Sequence, residues 1–464
     1  MTNVLSFDAL AEIWRHAKLP ENMLNAVSLT GVEPALPSSF AVGTAAQTSI
    51  AAAALAAAEI WRQRGGRSQT VSVDMQSAAT EFRSERYLRV DGGPAAELWD
   101  KIAGVYRCGD NHWVRLHTNF PHHRDGVLDI LKCAYEREAV AEALRGWKAE
   151  DFEETAARNG MVVAAMRSFA EWDAHPQGQA VARLPLLSID KIGDAAPTPL
   201  TAAPRPLSGI KVVELTRIIA GPVCGRTLAA HGADVMLVTS PHLPAIAPLV
   251  IDTGRGKLST ALDLRDDNDR AALTALLKDA DIFIQGYRPG GLEALGFGPE
   301  SVARIRPGIV YVSLSAYSHQ GPWANRRGFD SLVQTASGFN DAEGKAAGKD
   351  EPRPLPAQAL DHATGYLMAF AAMTALARRA REGGSWLVRT SLVQTAQWLR
   401  SLGRVDGLAA HDPSFDDVQE DLQPMDSPFG RLAVTRHAAA MSDTPPHWAR
   451  PPVPLGTHPP HWPH

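Results

Sequence analysis

Residues 207–235, LSGIKVVELTRIIAGPVCGRTLAAHGADV, decide the fold. Ile210–Leu215 is a short apolar run of β-prone residues, too brief for a helix. A turn containing Gly221 and Pro222 follows, then a helical stretch near Val223–His231, then a second apolar run at Ala233–Val238. These are the parts of a βαβ unit. The rhythm continues at Ala280–Gln285 and Ile309–Ser315, with helical segments at Asp267–Ala280 and near Pro299–Arg306. The expected fold class is α/β, with a Rossmann-like, mostly parallel sheet. Ligands of such sheets sit in loops beyond the carboxyl ends of the strands.

Composition narrows the function. The chain has 464 residues, and 46 basic against 51 acidic side chains leave a net charge of −5. That balance gives no general attraction to nucleic acid or to anionic membranes. The longest apolar run, Ser49–Trp61, is Ala-rich, carries Glu59 and is too short to span a bilayer. Cys108, Cys133 and Cys224 are scattered and build neither a disulfide framework nor a zinc site. The N-terminus lacks a basic-then-apolar signal pattern. A soluble, cytoplasmic protein is expected, with no metal.

Upstream, the helix-prone stretch Ser49–Arg64 stops at Gly65-Gly66, and the alternating TVSVDM after it predicts a strand. Gly126–Trp147 reads as a helical run, and the Pro/Ala-rich residues 193–206 read as a linker. The tail beyond Asp412, ending PPVPLGTHPPHWPH, is expected to be extended, its prolines working against a metal cage of His458, His461 and His464. A shift of 318 residues pairs Gly65-Gly66 with Gly383-Gly384, each after an Ala-rich helix and before a β-prone stretch.

Several loops could carry chemistry, and each also has a plain structural reading. LTRIIAGPVCGR (215–226) lacks a glycine-rich nucleotide fingerprint. Its amides, with Arg217 and Arg226, suit a phosphate or simply form a tight turn. TGRGKLS (253–259) sets Arg255 and Lys257 beside two glycines, before a strand-like TALDL. These are cations for a phosphorylated ligand, or a solvated basic loop. Tyr287 and Arg288 follow one strand and Tyr317 ends another. Asp361 precedes a long helix rich in Ala, Leu and Met. It is either a helix cap or a carboxylate kept ionised by the helix dipole, partly desolvated and nucleophilic toward acyl groups.

In order, these segments resemble the family III CoA-transferases, a group that includes formyl-CoA:oxalate and carnitine CoA-transferases, with α-methylacyl-CoA racemase as a relative. The matching stretches are residues 207–235, GRGKLSTALDL (254–264), ADIFIQGYRPGGLEALGFG (280–298), RPGIVYVSLSAYSHQGPW (306–323), GFDSLVQTASG (328–338) and the Asp361 helix. The resemblance implies that Asp361 is the catalytic aspartate. It places Arg217, Ile218, Ile219 and Ala220 on the first CoA-contacting loop and Lys257 near the CoA phosphates. Tyr287 and Arg288 fall on the adenine side and Tyr317 near the acyl group. Gly286 stands where many relatives have Asn, and Ala294 where several have Arg.

Residues 40–190 resemble the family's downstream half, with Gly43 at the position of Asp361. The expected domains are a degenerate partial copy (1–79), a small domain (80–192), a linker (193–206), a CoA-binding Rossmann-like domain (207–400) and a C-terminal tail (401–464), a permuted or partly duplicated order. The implied activity is transfer of CoA between an acyl-CoA and a small carboxylic acid, by a homodimer with coenzyme A as substrate and no permanently bound cofactor. Two alternatives stand beside it. Racemase-like α-proton exchange needs a histidine at Phe329, unless His362 or His319 substitutes. A non-catalytic CoA-binding subunit is the other.

Overall fold

The computed structural model describes residues 4–463. Its centre is a seven-stranded sheet. In spatial order the strands are Lys257–Ala261, Asp234–Thr239, Lys211–Leu215, Ile282–Gln285, Val310–Ser315, Ser385–Ser391 and Leu187–Gly193. The first six are parallel, and Leu187–Gly193 closes one edge antiparallel to Ser385–Ser391. Val212, Ile282, Val310 and Val388 pack into one core with the helices Ala220–Ala230 and Ala359–Glu382. Their neighbours Val213, Phe283, Tyr311 and Leu387 pack into another with Leu273, Leu276 and Leu277 of Asp267–Lys278. Both faces are covered, so the strands read as unbroken apolar runs. Strands are added outward from Lys211–Leu215 in one direction and from Ile282–Gln285 in the other. A crevice opens beyond the carboxyl ends where the order reverses.

A second βαβ unit precedes this sheet. Val27–Thr30 and Val71–Asp74 pair in parallel, joined by the helix Val42–Gln63. That helix packs along Ala359–Glu382. Each ends on a glycine with positive φ, Gly65 at 87° and Gly383 at 66°, a conformation that stops a helix without a Cβ clash. Residues 104–165 hold a small antiparallel sheet with its own apolar core, centred on Val114, Leu116, Val140 and Phe152. The helical run expected at 126–147 is two helices, Pro121–Leu131 and Arg137–Leu144, with left-handed Lys132 ending the first.

The C-terminal segment differs from the expected extended tail. Leu422–Ser427 and Gly430–Thr435 form a hairpin continued by Arg89–Val90, and Ala439–Met441 becomes the third strand beside Val71–Asp74. Beyond them the Pro-rich chain is anchored at intervals rather than by a ladder. Arg450 pairs with Asp234 at 2.8 Å, and the buried Trp462 donates through Nε1 to the Leu276 carbonyl at 3.1 Å. Proline removes donors but does not prevent aromatic burial. Among the described residues no helix is long and apolar enough to cross a membrane.

A buried charge cluster joins these parts. Asp252 accepts from Arg226 Nη1 and Arg255 Nη2, both at 2.8 Å, and from Ser84 Oγ at 2.7 Å. Arg255 Nη1 also donates to the Thr435 carbonyl at 2.6 Å. Arg226 and Arg255 are fully buried. They are structural, and neither meets a phosphate from an exposed loop.

A fragment beginning at Leu207 loses the edge strand Leu187–Gly193 and the helix covering Ala359–Glu382. Expressed alone, it should be insoluble, because a long apolar helix face is then bared. A soluble fragment with a cooperative melt would contradict this.

Candidate active site

The crevice holds a cavity of about 540 Å³. Leu215, Arg217 and Ile218 form one wall, and Tyr287 and Arg288 extend it. Phe329 and the small-domain residues Phe120, His122 and His123 of the same chain close it. Ile218 has φ +76°, a strained conformation for a β-branched residue. The turn beside it is tight: a Cβ on Gly221 would lie 2.4 Å from Thr216 Cβ, so only glycine fits.

The wall is cationic. Arg217 lies 4.7 Å above the Phe120 ring and donates to the Pro244 carbonyl. Arg327, also on the wall, donates to the Gly160 carbonyl at 2.7 Å. Arg288 is exposed at the rim. Such a surface suits a ligand bearing phosphates or carboxylates.

Four of the expected contacts therefore meet: Arg217, Ile218, Tyr287 and Arg288 share one cavity. Ile219 and Ala220 do not line it; they are 5% and 3% exposed and turn into the core. Lys257 is also elsewhere than expected. It begins a strand instead of ending a loop, is 2% exposed, and bonds Glu214 Oε2 and the Pro222 carbonyl, both at 2.8 Å. Its ammonium neutralises a buried carboxylate and is not presented to the cavity. Tyr317 is 2% exposed and packs edge-on against Trp323 at 5.0 Å, beneath the wall. The GPW turn is likewise occupied, since the Trp323 N–H donates to Gln177 Oε1 at 2.7 Å.

Asp361 is the third residue of the helix Ala359–Glu382 and is 6% exposed. Its N–H donates to Asp330 Oδ2 at 2.9 Å, so a second carboxylate caps this helix. Burial, Asp330 and Glu85 together raise the Asp361 pKa well above the carboxylate range, contrary to the expectation of a carboxylate kept ionised by the dipole. Asp330, which accepts from Gln334 Nε2 as well, is raised to about 6, chiefly by burial. Phe329 joins the two features: it lines the cavity and immediately precedes Asp330. Asp330 and Asp361 themselves are not among the residues that line the cavity; Phe329 is the lining residue next to them in sequence.

Sequence reading named none of the small-domain residues that close the cavity. His123 is 4% exposed, and burial together with neighbouring imidazoles and guanidiniums lowers its pKa to about 3. His117 stacks on Phe329 with ring centroids 3.9 Å apart. The only available signal was the density of aromatic rings in HTNFPHHR (117–124).

Residues 207–407 match the model of CoA-transferase family III. The segment belongs to that family. Among curated relatives, acetyl-coenzyme A transferase nodX of Hypoxylon pulicicidum is 36% identical over 253 residues, which is 52% of this chain and 43% of that protein. Succinate–glutarate CoA-transferase of Agrobacterium fabrum is 33% identical over 196 residues, 38% of this chain and 48% of that one. The chain spans about half the length of the curated relatives it matches. The crystal structure of a CAIB/BAIF family protein from Brucella suis aligns at 29% identity and a TM-score of 0.39, over 49% of this chain and 65% of that one. The family III segment contains Asp361, Arg217, Tyr287 and Arg288, while His122 and His123 lie outside it.

Lys257→Ala should act on stability and not on substrate affinity. Removing the ammonium strands Glu214 in the core, at a cost of about 3–5 kcal/mol. Thermal melting should fall by about 5 °C or more. Affinity for coenzyme A, the ligand the resemblance implies, should stay near wild type; a large loss with unchanged melting would return Lys257 to the binding surface.

Proposed function

We propose that the protein is a cytoplasmic CoA-transferase that moves CoA between an acyl-CoA thioester and a carboxylic acid, with Asp361 as nucleophile. The observation that carries this reading is the placement of Asp361, nearly dry at a helix start and hydrogen-bonded to Asp330, whose sequence neighbour Phe329 lines a cationic cavity. The family match supports it.

Asp361 Oδ attacks the thioester carbonyl, the C–S bond breaks, and CoA leaves as thiolate beside an aspartyl–acyl anhydride. The thiolate then attacks the aspartyl carbonyl, releasing the first acid and leaving an aspartyl-CoA thioester. The acceptor carboxylate attacks that thioester in turn, expelling thiolate and forming an aspartyl–acceptor anhydride; the thiolate then attacks the acceptor's carbonyl, giving the new acyl-CoA and freeing the Asp361 carboxylate. Splitting the exchange into covalent steps is what a carboxylate nucleophile provides. Desolvation raises the reactivity of the ionised carboxylate and protects the anhydride from water.

The proton-exchange alternative gains nothing from this geometry. Phe329 has no proton to exchange, His362 is bound to Glu85 at 3.1 Å, and His319 is exposed. The active form is proposed to be a homodimer, as the resemblance implies; sedimentation of the active protein tests that.

Asp361→Asn should abolish transfer, a loss of at least about a thousandfold, while CoA binding stays within about threefold. Removing a buried acid flanked by carboxylates should also raise the melting temperature by about 2 °C or more at pH 8. That gain should shrink toward pH 4, because native Asp361 holds a proton that the unfolded chain releases as pH rises. Mass spectrometry with acyl-CoA and hydroxylamine should find modification at Asp361. Activity within tenfold of wild type would sink the nucleophile assignment.

The pH profile supplies a second test. Nucleophilic Asp361 must lose its proton, so kcat/KM should rise with pH through an inflection above the ordinary carboxylate range. Asp330→Asn removes a neighbouring charge and should move that inflection to lower pH. An unmoved inflection would show that Asp361 is not the titrating group.

A further inference from the structure

The Phe329 end of the cavity carries guanidiniums and imidazoles. Arg217 and Arg327 each bond a backbone carbonyl, and neither has a carboxylate partner among the described residues. His123 lines the same wall, 4% exposed, with no hydrogen-bond partner for its Nδ1. Its ring is fixed edge-on to Phe120 at 5.8 Å and to Phe329 at 6.3 Å, with His122 4.1 Å away. The groups acting on it electrostatically are His122, His117, Arg327 and Arg217. A buried polar ring with unmet hydrogen-bonding capacity, beside two unpaired guanidiniums, is arranged for an oxyanion.

We propose that Arg217, Arg327 and His123 form an oxyanion subsite that holds the carboxylate of the acceptor acid, with His123 reading it through a hydrogen bond. The identity of the ligand rests on the transferase reading above. A CoA phosphate offers the same chemistry, but two observations favour the acid. His123 is buried and Arg217 half-buried, which suits a small group lying inward of the exposed Arg327, whereas a phosphate dianion is better met at the exposed rim, where Arg288 stands. Phe329 packs against His123 and adjoins Asp330, which holds Asp361, so the subsite lies at the reacting end. Because it stays neutral, His123 donates through one nitrogen and keeps the other as acceptor. His123 thus acts as a specificity residue contributed by the small domain.

Calorimetric titration of the full chain with acetate, oxalate and succinate, and separately with CoA, tests this alongside steady-state kinetics. Wild type should bind at least one of the three acids. His123→Phe keeps the ring but loses the hydrogen bond, and should weaken that acid's binding and raise its KM about tenfold. His123→Gln keeps a donor and should stay within about threefold. CoA affinity and the KM for acyl-CoA should not move in either variant. Should His123→Phe fail to fold, Arg327→Gln, at an exposed position, carries the same expectation of weaker acid and unchanged CoA binding. The proposal is overturned if CoA affinity falls in step, which makes a phosphate the ligand, if acid binding is unaffected, or if wild type binds none of the acids. Acid binding that depends on His123 in a chain without transferase activity would sink the transferase reading and leave the subsite standing.

Discussion

A single desolvated carboxylate, Asp252, sets the frame in which the cavity can exist. Burying it is tolerable only because Arg226, Arg255 and Ser84 supply hydrogen bonds together; the buried Glu81, 4.0 Å from Arg226, balances the second arginine, so removing either arginine would leave a carboxylate in excess in the core. The partners come from distant stretches, and Arg255 passes the connection on to Thr435. Arg226 sits midway along the helix Ala220–Ala230, so the cluster clamps that helix while the sheet clamps Lys211–Leu215 in register. The turn between two fixed elements must absorb the mismatch. Ile218 does so in a left-handed conformation, and its neighbour Arg217 is thereby delivered to the cavity wall.

The parallel sheet was legible because its strands are covered on both faces, and two-sided burial writes an apolar run that needs no knowledge of partners. Lys257 was not legible. Two flanking glycines make GRGKLS read as a loop, whereas the strand begins at Lys257 itself and directs its ammonium toward Glu214, two strands away. Register and facing are properties of pairing, and neither is present in local composition. Arg226 and Arg255 misled for the same reason: an arginine near a glycine looks solvated until its buried carboxylate is known. The tail misled differently. Its prolines do exclude a ladder, but Trp448 and Trp462 bury without one. Asp361 was legible as a candidate from its place before the helix and from the resemblance, whereas its electrostatic surroundings come from Asp330 and Glu85, far away in sequence.

The small domain explains why a family III segment alone is an incomplete site. Residues 207–407 supply the crevice, its loops and Asp361, but Phe120, His122 and His123 close the cavity from outside that segment. The rings of His117 and Phe120 packed around Phe329 provide an apolar cover at that end. That cover comes from one short stretch, residues 117–124, which runs into the start of the helix Pro121–Leu131.

Magnitudes decide which influence governs Asp361. A helix N-terminus favours an ionised carboxylate by roughly 0.3–1 kcal/mol, and at most about 2 kcal/mol in a partly buried setting. Each unit of pKa corresponds to about 1.4 kcal/mol, and full burial shifts carboxyl groups by up to about 3–5 units. Desolvation therefore outweighs the dipole, and two nearby carboxylates add to it. The dipole and the free N–H at the helix start are in any case already engaged by Asp330. Of the two acids, Asp330 has the hydrogen bonds that stabilise a negative charge, so the proton belongs on Asp361. The chain therefore folds around a neutral group, which is far easier to bury than an anion.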